Sequence, residues 1–264
     1  MVRLGISTAA FYGRYEVEEA AAYISKLPVD CAEVFLQSFS EYSADFGRLV
    51  HGELKNIPCT SVHPLGTNFE NQLASVSKRQ RQDAFDLFRR VLEAGRELGA
   101  GVYVHHGRYS PQIRALAWDL KRNAEIISVM AEEAARYNMV IGWENVYWCQ
   151  LTEPSRVLEA KEALPKVRFT LDIKQAMRAG CDPIEFVEAM GDRLCNVHVC
   201  DWQEDGTLCL PGEGSFDFGA LFAALRKAEY DGPVIMEPYL KLIKSDEALS
   251  RSIAFLRNKI EMKE

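Results

Sequence analysis

Two hydrophobic patterns alternate along the whole chain. Short runs of apolar or β-branched residues fall at 3–7, 31–36, 59–62, 101–105, 140–144, 167–171, 196–199 and 234–237. Runs apolar on both faces suit strands covered on both sides, as in a parallel sheet packed between helices. Between them lie longer segments whose apolar positions recur at helical spacing. Residues 81–98 are the clearest case, with Ala84, Phe85, Phe88, Leu92 and Gly95 on one stripe and most charges elsewhere. Residues 118–137 predict a second long helix.

Helix boundaries are marked as well. Thr152-Glu-Pro154, Asp182-Pro183 and Ser245-Asp-Glu247 offer capping residues followed by proline or acids, which suit the free N–H groups of a first turn. Gly99 and Gly180 follow helical segments where a left-handed cap is needed. Eight strands alternating with eight helices predict an α/β fold, a single (β/α)8 TIM barrel. An open doubly wound sheet is disfavoured, because no G-x-G-x-x-G follows the first strand. No Gly/Ser linker or low-complexity stretch divides the chain, so residues 1–264 read as one domain.

Composition narrows the partners more than the fold. The 264 residues carry 31 Lys and Arg against 38 Asp and Glu, a formal net charge of −7. That balance gives no general affinity for nucleic acid or anionic membranes. The seven cysteines form no C-x-x-C pair and sit mostly in apolar runs. They read as free thiols of a reducing compartment, and the expected location is cytoplasmic. No 18-residue uncharged apolar stretch occurs, so no membrane span is expected.

The polar residues are informative because of where they fall. His63 closes the third run, His105-His106 the fourth, Glu144 the fifth, Asp172 the sixth, His198 the seventh and Glu237 the eighth. In a barrel these strand ends converge on the C-terminal mouth, where active sites sit. Carboxylates gathered there repel one another unless a cation neutralises them or a proton is shared. Three carboxylates and an imidazole suit one hard or borderline divalent ion: Mn²⁺, Mg²⁺, Co²⁺ or Zn²⁺.

The order Glu144 (WEN), Asp172 (LDIKQA), His198 (HVCD), Gly212-Glu-Gly214 and Glu237 (IMEPY) resembles the xylose isomerase-like TIM-barrel superfamily. That group includes sugar isomerases and epimerases, inosose dehydratases and endonuclease IV. The resemblance implies Glu144, Asp172, His198 and Glu237 as the metal set, as in the ketose epimerases. The family often has Asp-x-x-His at strand six, but here Gln175 stands in the histidine's place. Gln175 can hydrogen-bond a substrate but cannot shuttle a proton near neutral pH. An endonuclease IV reading also lacks its Asp-x-His pair, whose places fall near Gly206 and Leu208. The extra glutamate and arginine of ketohexose epimerases are absent after Glu144 and His198.

The expected activity is isomerisation or epimerisation of a sugar, sugar phosphate, polyol or keto acid through a metal-stabilised enediolate. Glu144 and Glu237 are the expected proton carriers, one on each side of the substrate carbon. His63, His105, Gln175, Arg108 and Trp202 are the expected substrate contacts, with Trp143 and Trp148 adding to an apolar wall. His106 is expected to point away from His105 and to be structural. Lys174 reads as an exposed helix-start lysine, and the Gly212–Gly214 segment as a tight loop more than a phosphate cradle. Alternatives are an inosose-dehydratase-like lyase on the same metal site, an endonuclease IV-like nuclease, and a non-catalytic sugar-binding barrel. The expected partner is a small sugar or polyol, and the sequence is compatible with an oligomer.

Overall fold

The computed structural model describes residues 2–109 and 118–262. Eight strands close into a barrel: β1 Arg3–Ser7, β2 Cys31–Leu36, β3 Cys59–Pro64, β4 Val102–His105, β5 Val140–Glu144, β6 Arg168–Asp172, β7 Leu194–Val199 and, after a two-stranded hairpin, β10 Pro233–Met236. The hairpin strands are β8 Asp201–Trp202 and β9 Leu208–Cys209. Every barrel pairing is parallel, and β10 closes the ring onto β1.

Helices cover the outside of the ring: α1 Val17–Ile24, α2 Ala44–Leu54, α3 Lys78–Leu98, α4 Leu120–Ala135, α5 Pro154–Ala163, α6 Ile173–Ala179, α7 Pro183–Met190, α8 Phe218–Lys227 and α9 Asp246–Glu261. The predicted stripe on α3 is its core face, where Ala84, Phe88, Leu92 and Gly95 are buried while Phe85 is only partly so. At Gly47 a Cβ would lie 2.4 Å from the Ala94 carbonyl oxygen, so glycine is what lets α2 seat directly on α3. Asp182 and Ser245 cap α7 and α9 through their side chains. Gly99 and Gly180 end α3 and α6 with φ of 79° and 77°. Thr152 differs from expectation. Glu153 holds the cap position of α5, and the Thr152 hydroxyl takes a hydrogen bond from Arg156 instead.

The architecture departs from eight simple repeats at one functional place. β6 runs into α6 with no intervening loop, so Asp172 is at once the last strand residue and the helix cap. Between adjacent strands, Glu33 pairs with Ser61, Phe35 with His63, Glu144 with Thr170 and Asp172 with His198. Residues in one phase of these strands therefore fill the barrel interior and rise in layers to its mouth. No helix among the described residues is long and apolar enough to cross a membrane.

Candidate metal centre

The mouth holds a cavity of about 250 Å³, lined on its polar side by His63, His106, Glu144, Lys174, Gln175 and Glu237. Its apolar side is built from Tyr12, Phe35, Leu65, Trp148, Pro238 and Tyr239. At its base, one donor atom each from Glu144, Asp172, His198 and Glu237 lies within 4.8 Å of the others. His198 Nδ1 is 3.5 Å from Glu144 Oε1 and 3.6 Å from Glu237 Oε2.

Two of these donors are fixed by their other atoms. Asp172 Oδ1 accepts the Gln175 backbone N–H at 2.9 Å, which caps α6 and leaves Oδ2 facing the cluster. His198 Nε2 lies 3.0 Å from Glu33 Oε2, a contact in which the ring N–H donates to the carboxylate. That contact holds the ring with Nδ1 turned toward the carboxylate cluster, the arrangement by which a carboxylate orients a metal-binding histidine. Among the described residues, Asp172 Oδ2 and His198 Nδ1 are buried without a hydrogen-bond partner, as is Glu144 Oε2, which faces His106 Nε2 at 3.5 Å. Unsatisfied buried polar atoms are costly, and Asp172 Oδ2 and His198 Nδ1, both in the cluster, fit a cation as their missing partner.

Glu33 was not singled out by its place in the sequence. It stands mid-strand in β2, fully buried, and its Oε2 also accepts Ser61 Oγ at 2.7 Å and Asn196 Nδ2 at 3.0 Å. Burial opposes its ionisation, but His198 and Ser61 outweigh that and hold its carboxyl well below the usual range. Burial likewise opposes charging His198, yet Glu33 and Glu237 raise its pKa well above the ordinary histidine value. The readable signal was a lone glutamate inside the apolar run CAEVFL.

The two adjacent histidines point opposite ways, but in the reverse phase to that expected. His105 shares the outer face of β4 with Tyr103, and both reach Glu70 Oε1, at 2.8 and 3.0 Å. His105 therefore does not line the cavity, and His106 does. His106 Nδ1 donates to Glu70 Oε2 at 3.2 Å, and its Nε2 meets His63 Nε2 at 2.6 Å. Burial works against charging His106, but Glu70 and Glu144 outweigh it and lift its pKa to about 9. Burial and the neighbouring His106 charge push His63 down to about 4. The shared proton thus belongs to His106 and is donated to His63, whose Nδ1 then stands 3.9 Å from Glu237 Oε1.

A family model described as the xylose isomerase-like TIM barrel matches residues 18–259. The chain belongs to that family. The barrel superposes on the crystal structure of a D-psicose 3-epimerase determined in the presence of D-fructose with a TM-score of 0.82, at 18% identity over 99% of this chain and 100% of that one. The 3-keto-D-glucoside 4-epimerase of E. coli superposes with a TM-score of 0.76 at 21% identity, over 98% and 100% of the two chains. An inosose dehydratase of Geobacillus kaustophilus is 29% identical over 89 residues, 27% of this chain and 29% of that protein.

Other expected contacts of this xylose isomerase-like barrel fall elsewhere. Arg108 lines a separate small pocket with Glu70 and His105, because it follows the outward-facing end of β4. Trp202 lies on the hairpin and packs against Phe216 at 4.7 Å, outside the cavity. Trp143 is fully buried and stacks on Trp118 behind the mouth, while Trp148 does line the cavity. Gln175 is at the mouth, where its Oε1 accepts the Tyr147 N–H at 3.4 Å.

The Gly212–Gly214 loop carries its own anion. Asp201 is buried, and its carboxylate accepts the backbone N–H groups of Trp202, Gly212, Gly214 and Phe216 at 2.8 to 3.2 Å. Those donors are spent, so the loop is braced from within and does not cradle a phosphate. A Cβ at Gly214 would stand 2.3 Å from Asp201 Oδ1, so the loop closes over that carboxylate only as glycine.

Lys174 is the largest departure from expectation. Its side chain is 4% exposed, with Nζ 3.1 Å from Glu237 Oε2 and 3.3 Å from Asp172 Oδ2. The direct passage from β6 into α6 turns it inward over the mouth. Burial alone would discharge the amine, but Asp172 and Glu237 outweigh that and keep it protonated well above the ordinary lysine range.

Proposed function

We propose that the chain is a divalent-metal-dependent sugar isomerase or epimerase, with Glu144, Asp172, His198 and Glu237 holding one Mn²⁺-type ion. The observation that supports this best is the convergence of four donor atoms from four strand ends within 4.8 Å, two of which, Asp172 Oδ2 and His198 Nδ1, are buried with no hydrogen-bond partner among the described residues. The names of the superposed structures, both sugar epimerases, agree with a sugar as substrate. Held by these four residues, such an ion would supply Lewis-acid stabilisation of the charge that develops on a substrate carbonyl.

Around it the residues divide the work. Glu144 and Glu237 approach the cavity from β5 and from the end of β10, across the mouth from one another. One removes the proton next to the substrate carbonyl, and the other returns it on the opposite face. His63, held by His106 through its Nε2, offers its Nδ1–H toward substrate hydroxyls, and Gln175 adds an amide. Tyr12, Phe35 and Tyr239 offer an apolar surface to the less polar face of a sugar ring.

The test is solvent deuterium exchange into ketohexoses and inososes with Mn²⁺-loaded protein. Exchange at the carbon next to the carbonyl, lost in Glu144→Gln and Glu237→Gln, is the expected result. Turnover retained in both variants would refute the assigned roles. A lyase of the inosose dehydratase kind is the second reading, favoured by the matched segment of that enzyme. It predicts a product lighter by one water. His63, His106 and Glu144 also form a three-donor group, but the 2.6 Å contact between the two Nε2 atoms is a hydrogen bond, not an open pair of ligands.

A further inference from the structure

Four carboxylates cannot share a dry pocket without compensation. Glu33, Glu144, Asp172 and Glu237 are gathered around His198, and all but Glu237 are fully or almost fully buried. Lys174 reaches two of them, and also lies 3.4 Å from the Glu237 carbonyl oxygen. These are the same two carboxylates that would share a divalent ion with Glu144 and His198.

We infer that Lys174 is a built-in counter-ion, which holds Asp172 and Glu237 when no metal is bound and gives them up when a divalent ion enters. The inference rests on the metal-set reading under Proposed function. Three geometric facts carry it. First, the ammonium contacts of 3.1 and 3.3 Å go to one oxygen each of Glu237 and Asp172, two of the four donors of the proposed metal set. Second, Asp172 Oδ2 has no hydrogen bond of good geometry even with the ammonium nearby, so its lone pairs remain available. Third, Nζ already lies over the Tyr239 ring on the cavity wall, 5.0 Å from its centroid, a cation–π contact that the ammonium can keep when it leaves the two carboxylates.

An ion about 2.1 Å from each shared oxygen would stand no more than about 5 Å from an unmoved ammonium. Two cations at that separation in a buried pocket repel strongly, so either the lysine withdraws or the metal binds weakly. The lysine thus sets metal affinity and keeps the metal-free barrel intact. It acts as a positioning group, through the two carboxylates it holds.

The experiment compares metal-stripped wild type, Lys174→Met and Lys174→Arg by calorimetric titration with Mn²⁺, together with melting curves before and after metal addition. Lys174→Met should bind Mn²⁺ at least tenfold more tightly than wild type, and Lys174→Arg should stay near wild type. Metal-free Lys174→Met should melt several degrees lower than wild type, with the gap closing at saturating Mn²⁺. If the methionine variant does not fold by circular dichroism, Lys174→Gln replaces it with the same expectations. Equal or weaker Mn²⁺ binding in the uncharged variants overturns the exchange while the metal site stands. Absence of binding to every protein removes the metal site itself, and the exchange with it.

Discussion

Replacing Glu33 by glutamine tests whether a residue in the barrel interior controls the metal site from below. Glu33 is fully buried, and one oxygen takes donors from Ser61, Asn196 and His198 at 2.7 to 3.0 Å. Bonds to a charged acceptor contribute about 1.5–3 kcal/mol, against about 1 kcal/mol for neutral pairs. Glutamine keeps the shape and one acceptor oxygen but loses the charge across three bonds, so the barrel should lose about 2–3 kcal/mol. Removing the carboxylate behind a metal-binding histidine costs about 10–100-fold in metal affinity. Glu33 also favours protonation of His198, which competes with metal, and its loss relieves that competition. A divalent ion carries twice the charge of the proton, so the lost attraction outweighs the relief and binding weakens. The assay is calorimetric titration with Mn²⁺ near neutral pH, paired with urea unfolding of the metal-free protein. An affinity within threefold of wild type and an unchanged unfolding midpoint would refute the reasoning.

Three further outcomes follow from the same geometry. His106 has a folded pKa of about 9 against an ordinary 6.5, so its stabilisation is complete below pH 6.5 and is lost as pH rises through 9. The difference in unfolding free energy between wild type and His106→Gln should therefore shrink by about 3 kcal/mol between pH 6 and 10, and a constant difference would be inconsistent with the charge assignment. Gly214→Ala drives a Cβ into Asp201 Oδ1 at 2.3 Å and the Trp202 carbonyl at 2.4 Å, so it should lower stability by about 1–3 kcal/mol in thermal melts. Arg108→Ala should leave sugar turnover within twofold of wild type, since Arg108 faces a different pocket; a tenfold rise in KM would place it at the site after all.

The sequence by itself determined the barrel and the strand ends that carry its chemistry. Parallel strands buried on both faces must be apolar throughout, so a glutamate or histidine closing such a run stands out. Glu144, Asp172, His198 and Glu237 were legible for that reason, and the structure draws their donor atoms together. Helix caps at Asp182 and Ser245 were legible because they depend only on neighbours in the chain.

Tertiary structure decided the rest. Alternation predicts that His105 and His106 face apart, but only the tertiary packing, with His105 beside Tyr103 on the outer side of β4, decides that His106 enters the cavity. Asp201 could be seen to brace the Gly212–Gly214 loop only once the hairpin placed its carboxylate under four backbone N–H groups. Lys174 at a helix start looks like any surface lysine. It is buried because β6 passes straight into α6 and turns the ammonium toward carboxylates from two different strand ends. Local pattern reports what a residue needs from its immediate neighbours, whereas charge pairing across a barrel depends on strands distant in sequence, which meet only when the ring closes.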